Sequence, residues 1–170
     1  MDHDSYWKEK DRLNAKLKEL YPRMFRFIGH EARMPIRLGL ECGSGWYPIL
    51  TDLFKDMSKY PVVIHQVKEK FGGLRVYWQE DGPMSEKDHQ AVHDLVAKAE
   101  DRCWRTCENC GAEGQLVVAN GWRYTHCDLC KDTDGWKERD ALLEKLRAEG
   151  KLLTPYELMF GKDDDYIRKG

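Results

Sequence analysis

The chain is expected to fold as an α+β protein, with helices packed on a small antiparallel hairpin sheet and a compact cysteine-rich module beside it. Three features predict this. Trp46, Ile49, Leu50, Leu53, Phe54 and Met57 recur at the spacing that lines one helical face. A β-branched run, Val62 to Val67, is followed across Gly72-Gly73 by Leu74 to Trp78, the pattern of a hairpin. Two Cys-x-x-Cys pairs flank an Asn-Gly dipeptide, which places a second hairpin between them.

Residues 5–20 predict a helix, with Trp7, Leu13, Leu17 and Leu20 among Lys and Glu, and Pro22 ends it. Met34 to Leu40 is ambiguous and is read as a short strand; it leads into Glu41-Cys42-Gly43-Ser44-Gly45, read as a flexible turn. The Trp46 helix follows, with Pro48 in its first turn, where a missing N–H matters least. After the first hairpin, Asp81-Gly82-Pro83 breaks the chain. Ser85 then caps a helix to about Thr106, buried through Val92, Leu95, Val96, Ala99 and Cys103. Leu116-Val117-Val118 and Trp122-Arg123-Tyr124 flank Asn120-Gly121, a type I′ turn signal. A last helix runs from about Gly135 to Ala148. The expected division is a main domain over 1–102, the cysteine module over 103–150, and a loosely docked tail over 151–170.

Composition narrows the classes. Of 170 residues, 41% are hydrophobic and 34% charged, a folded rather than disordered balance with room for a core. No apolar run approaches the ~20 residues of a membrane-spanning helix, and the first residues lack the basic and apolar regions of a secretion signal. The expected location is the cytoplasm. A net charge of −2 argues against indiscriminate binding of polyanions.

In a reducing compartment paired cysteines serve metals rather than cross-links. Cys107/Cys110 and Cys127/Cys130 are separated by 16 residues, 111 to 126, as in four-thiolate zinc sites. Each pair aims two sulfurs from one tight turn, and the hairpin returns the second turn opposite the first. Hairpin followed by helix is the order of a zinc-ribbon or treble-clef-like module. Four thiolates leave no position for a reacting water, so the expected zinc is structural. Cys103, one turn before Cys107, is read as core packing. His126, beside Cys127, is the alternative ligand.

Other signals are weaker. One Gly-x-Gly after Glu41 is too little for a nucleotide-binding turn, and a plain loop is preferred. His89 and His93 can share one helix face, but Gln90 stands where a zinc protease carries its Glu, and they are read as solvated. In the first hairpin, a two-residue turn at Gly72-Gly73 pairs Val67 with Trp78 and Lys70 with Arg75. A longer turn pairs Lys68 with Arg75. Either way Lys68, Lys70, Arg75 and Tyr77 share a face, a candidate surface for anions or a macromolecular partner.

Glu41-Cys42-Gly43-Ser44-Gly45-Trp46-Tyr47, then Gln66 to Arg75, then the paired cysteines, resemble a family of small uncharacterised bacteriophage and prophage proteins. The resemblance covers about residues 39–130, and Lys-Phe-Gly-Gly-Leu-Arg is its most specific piece. It implies phage origin, a bacterial host cytoplasm and an accessory role, such as inhibiting a host defence; it brings no catalytic residue. The functional expectation is a non-enzymatic, zinc-stabilised binding protein that engages a host macromolecule, a protein before a nucleic acid. The alternatives are a nucleic-acid-binding zinc module using Lys68, Lys70, Arg75 and Arg123, and, less favoured, a small hydrolase or transferase using the Glu41–Ser44 turn with Glu69.

Overall fold

In the computed structural model, residues 3–29, 35–133 and 136–162 are described. The elements are α1 (His3–Leu20), α2 (Tyr47–Met57), β1 (Val62–Lys70), β2 (Gly73–Glu80), α3 (Glu86–Cys103), β3 (Gln115–Ala119), β4 (Trp122–His126), α4 (Asp128–Lys131), α5 (Trp136–Ala148) and α6 (Pro155–Phe160). Two antiparallel hairpins, β1-β2 and β3-β4, are the sheets. None of the described helices is long and apolar enough to cross a membrane.

The core forms where the predicted apolar stripes meet. α2 buries Ile49, Leu50, Leu53, Phe54 and Met57, α1 contributes Leu13 and Leu17, and the sheet contributes Val62, Ile64, Val67, Leu74 and Val76. α3 begins as the sequence requires: the Ser85 hydroxyl accepts the Asp88 N–H at 3.1 Å and satisfies an otherwise orphaned donor. Its buried side chains are Val92, Val96, Ala99 and Cys103, and it ends at Cys103 rather than Thr106. A segment without predicted structure, after α1, also enters the core through Met24, Phe25 and Ile28. Phe25 meets Phe54 edge to face, centroids 4.8 Å apart.

Four expectations are corrected. Pro35–Leu38 is a turn of 3₁₀ helix, not a strand; Pro fixes φ and removes a ladder donor, and Met34 lies outside the described residues. The tail is not loosely docked over Pro155–Phe160. That segment is α6, capped by Thr154 and Glu157 in a reciprocal box, with Tyr156, Met159 and Phe160 buried. Gly135 and Asp163–Asp165 lie outside the described residues. The third correction concerns the first hairpin, whose two-residue turn is Phe71-Gly72, with φ of +58° and +84°. Lys70 therefore pairs with Gly73 and Lys68 with Arg75, the latter being the pairing expected of the longer turn. This register differs by two residues from the one built on Gly72-Gly73, and a two-residue shift leaves every side chain on its original face. A β-bulge at His65 then adjusts the pairing toward Ile64–Trp78.

The fourth correction is the Glu41–Gly45 turn, which is fixed rather than flexible. Glu41 bridges the outer edge of β1: its N–H donates to the Val67 carbonyl at 2.9 Å, and its carbonyl accepts the Glu69 N–H at 3.0 Å.

Candidate metal centre

The residues that position the cysteines form the order knuckle, hairpin, helix start. Cys107 opens a tight turn in which its carbonyl accepts the Gly111 N–H at 2.9 Å, and its own N–H donates to the Ala112 carbonyl at 2.7 Å. Gly111 supplies the positive φ, +79°, that lets the chain reverse within one residue of Cys110. β3 and β4 follow, joined by Asn120 and Gly121 at φ +51° and +80°, the expected type I′ turn. β4 delivers Cys127 as the N-cap of α4, and Cys130 falls in that helix's first turn. This is the treble-clef order.

The four sulfurs lie within 4.8 Å of one another, with Cys110 Sγ and Cys127 Sγ 3.6 Å apart. A tetrahedral zinc–thiolate site, with Zn–S of about 2.3 Å, separates its sulfurs by about 3.8 Å. The cluster is therefore compatible with zinc. Among the described residues it is the one group of three or more His, Cys, Asp or Glu side chains close enough to share an ion. Hydrogen bonding from Cys110 and Cys130 draws the Cys107 thiol well below its usual range. The same bonding to Cys107 pushes Cys110 up to about 12 and Cys130 upward. Donors crowded in this way compete for protons, and a shared cation relieves that competition.

His126 is buried but turned away from ligation. Its Nε2 lies 3.0 Å from Asn109 Nδ2, and its ring stacks on Tyr124 at 5.0 Å. Asn109, between the first two cysteines, thus ties the knuckle to β4. Cys103 is fully buried in the main core, where burial pushes its thiol up to about 12.

The centre is fastened to the rest of the chain at two seams, and both use the glycines singled out in the sequence. At the first, Gly45 N–H donates to the Glu108 carbonyl at 2.8 Å and Gly43 N–H to the Glu108 carboxylate at 2.9 Å. Trp46 Nε1 donates to the Thr106 carbonyl at 2.8 Å. Burial raises the Glu108 carboxyl to about 7. The Gly43-Ser44-Gly45 pattern is thus explained by close backbone approach: a Cβ on Gly45 would overlap the Cys107 carbonyl and sit 2.5 Å from the Gly111 nitrogen. At the second seam the tip of the first hairpin meets the second. Thr125, fully buried, donates its hydroxyl to the Gly72 carbonyl at 2.6 Å. A Cβ on Gly72 would lie 2.7 Å from Leu116 Cδ1, and one on Gly73 2.6 Å from Trp104 Cζ2.

The predicted basic face lies on the first hairpin as expected from side-chain alternation. Lys68 Nζ sits 5.5 Å from the Tyr77 ring and Lys70 Nζ 5.3 Å from the Phe71 ring. Arg75 donates to the Leu74 carbonyl at 2.6 Å. No carboxylate among the described residues forms an ion pair with these three. Glu41, Ser44 and Glu69 are engaged in holding the fold. The Glu41 carboxylate accepts from Gln66 at 3.2 Å, the Glu69 carboxylate from Gly72 N–H at 2.6 Å, and the Ser44 hydroxyl from Arg147 at 3.4 Å. His93 is exposed and His89 half-exposed, as expected, while both rings also pack against Trp78, His89 at 5.2 Å and His93 at 5.0 Å.

Comparison with protein-family models, with curated proteins and with solved structures finds no match to this chain.

Sequence reading missed Glu108, Asn109 and Thr125 as links between the metal centre and its surroundings. The available signal was position: Glu108 and Asn109 stand inside a Cys-x-x-Cys turn, where short-range geometry aims side chains at neighbouring segments.

Proposed function

We propose that this chain is a non-enzymatic binding protein stabilised by one structural zinc ion on Cys107, Cys110, Cys127 and Cys130. We further propose that it is phage-encoded and engages a host protein in the bacterial cytoplasm. The observation that carries the binding reading is Phe71. It is 62% exposed, so it adds little to the core, yet it occupies a left-handed turn position at φ +58°. An L-residue with a bulky side chain is disfavoured there by about 1–2 kcal/mol, and Asn or Gly fits without that strain. Strain kept at an exposed aromatic, without compensating burial, supports a role in contact with another molecule. Leu116 and Val118, 49% and 67% exposed, extend the apolar surface beyond the seam at Gly72, and aromatic anchors of this kind dominate protein interfaces.

Two measurements test the proposal. Metal analysis of purified protein is expected to find one zinc per chain. Affinity capture from bacterial lysate is expected to recover a specific protein with the wild-type chain and to lose it with Phe71→Gly. Equal recovery by the variant, or no specific protein under several conditions, refutes the reading.

The nucleic-acid reading is favoured by a different observation: Lys68, Lys70 and Arg75 without ion-pair partners among the described residues, beside Tyr77, which is 43% exposed. It requires salt-sensitive binding that weakens in the Lys70→Ala/Arg75→Ala double variant. A mobility shift unchanged in that variant excludes it.

A further inference from the structure

The first sheet has two strands and therefore two outer edges, and they are finished differently. On β1 the outward backbone groups are identified by what they bond. Ile64 N–H donates to the Met24 carbonyl at 2.9 Å, and Val67 and Glu69 bond Glu41. In an antiparallel pair, residues directly opposite send their backbone groups either toward each other or both outward. Trp78, Val76 and Leu74, the partners of Ile64, Val67 and Glu69, therefore point their N–H and C=O groups away from β1. Glu80, two residues beyond Trp78 on the same strand, belongs to the same set.

The β1 edge is closed by Met24 and Glu41. On β2 the Leu74 carbonyl is taken by Arg75, and Glu100 of α3 lines the same groove as Val76. From the Val76 carbonyl to Glu80, no strand or bridge among the described residues pairs with the edge. An open edge of this kind is a template for another strand.

The edge opens into a groove of about 830 Å³ between β2 and α3. Trp78 forms an aromatic surface there with His89 and His93. The groove's formally charged side chains are two carboxylates, Glu80 and Glu100, and no Lys or Arg lines it. Glu80 lies 3.6 Å from His89 Nε2. Burial raises the Glu100 carboxyl, and the charge of nearby Arg75 opposes that shift only in part.

We propose that this edge accepts an extended segment of a partner protein as a third strand, pairing with Trp78 and Glu80, with a Lys or Arg of the segment directed to Glu80 and Glu100. Main-chain hydrogen bonds supply the affinity of such strand addition, and the groove selects the alternate side chains. The inference rests on the protein-binding reading but uses a surface distinct from Phe71.

The test uses the metal-loaded full chain and a display library of random peptides. Selected peptides are expected to carry Lys or Arg and to slow hydrogen exchange at the Trp78 and Glu80 amides. Glu80→Pro removes an outward N–H without touching the bonds to β1, and is expected to weaken peptide binding by at least about tenfold. The double variant Glu80→Gln/Glu100→Gln, which leaves the backbone intact, is expected to weaken it too and serves should the proline disturb the fold. Phe71→Gly is expected to leave it unchanged. The proposal is overturned if no peptide is selected, or if protection appears elsewhere. It also falls if neither edge variant weakens binding, or if the edge amides are protected by self-association of the chain or by a nucleic acid instead. Any of these alongside continued Phe71-dependent capture leaves the broader protein-binding reading standing. Loss of that capture with edge binding retained removes Phe71 instead.

Discussion

Gly45→Ala tests whether the metal centre and the main core are one mechanical unit. Gly45 has no positive φ, so alanine is conformationally acceptable there and the destabilising part of the effect comes from contact. The added methyl would overlap the Cys107 carbonyl and lie 2.5 Å from the Gly111 nitrogen and 2.7 Å from the Glu108 carbonyl oxygen. These are backbone atoms of a turn held by the cysteines, so none can rotate aside. Overpacking costs about 1–3 kcal/mol, and a rigid backbone wall puts this case at the upper end. Opening the seam also weakens the Gly45–Glu108 and Gly43–Glu108 hydrogen bonds, each worth about 1 kcal/mol. Alanine returns about 0.4–1 kcal/mol by restricting the unfolded chain. The expected net loss is about 3–4 kcal/mol, or about 10 °C in Tm for a chain of this size.

The assay is urea unfolding with the metal bound, read as a shift in midpoint at constant slope. The control is Gly121→Ala, where nothing lies within 4 Å of the added methyl but φ is +80°; only backbone strain acts there, about 1–2 kcal/mol. If Gly45→Ala lies within 1 kcal/mol of wild type, about one hydrogen bond's worth of seam energy, the reasoning that backbone contact fixes the turn to the knuckle is wrong.

Further outcomes follow from the same contacts. Cys107→Ser or Cys127→Ser is expected to lose the metal and unfold the module from Cys107 through α4, because structural zinc supplies about 10–16 kcal/mol of folding energy; metal analysis with circular dichroism reads both, and removing zinc by chelation should reproduce the change. Thr125→Val leaves the Gly72 carbonyl without its buried donor and should cost about 1–3 kcal/mol in the same urea assay. Phe71→Gly is expected to keep or raise stability, by up to about 1 kcal/mol, since left-handed strain is relieved and little burial is lost; a clear destabilisation would mean that Phe71 is a structural residue.

The elements most legible in the sequence were those set by neighbours along the chain. The stripe from Ile49 to Met57, the Ser85 cap and the Asn120-Gly121 turn each depend on a few consecutive residues, and each is found where the pattern placed it. The first hairpin was legible in its faces but not in its turn. Gly72-Gly73 carries the stronger local signal, yet Gly73 is needed against Trp104 and Gly72 against Leu116, so the reversal moves to Phe71-Gly72. The tail was misread for a related reason. Six residues, Pro155–Phe160, carry too little periodicity to announce a helix, and their stability comes from burial of Tyr156, Met159 and Phe160.

The sequence by itself determined which four sulfurs would meet, because spacing within two turns and one hairpin is a local property of the chain. It also determined the two faces of the first hairpin, since alternation survives any even shift of register. Only the tertiary structure decided what the glycines of Gly43-Ser44-Gly45 and Gly72-Gly73 are for, and which edge of the sheet stays open. Those answers depend on segments distant in the chain, Glu108 against Gly45 and Glu41 against Val67, and contacts between distant segments leave no periodic trace in either partner's own residues.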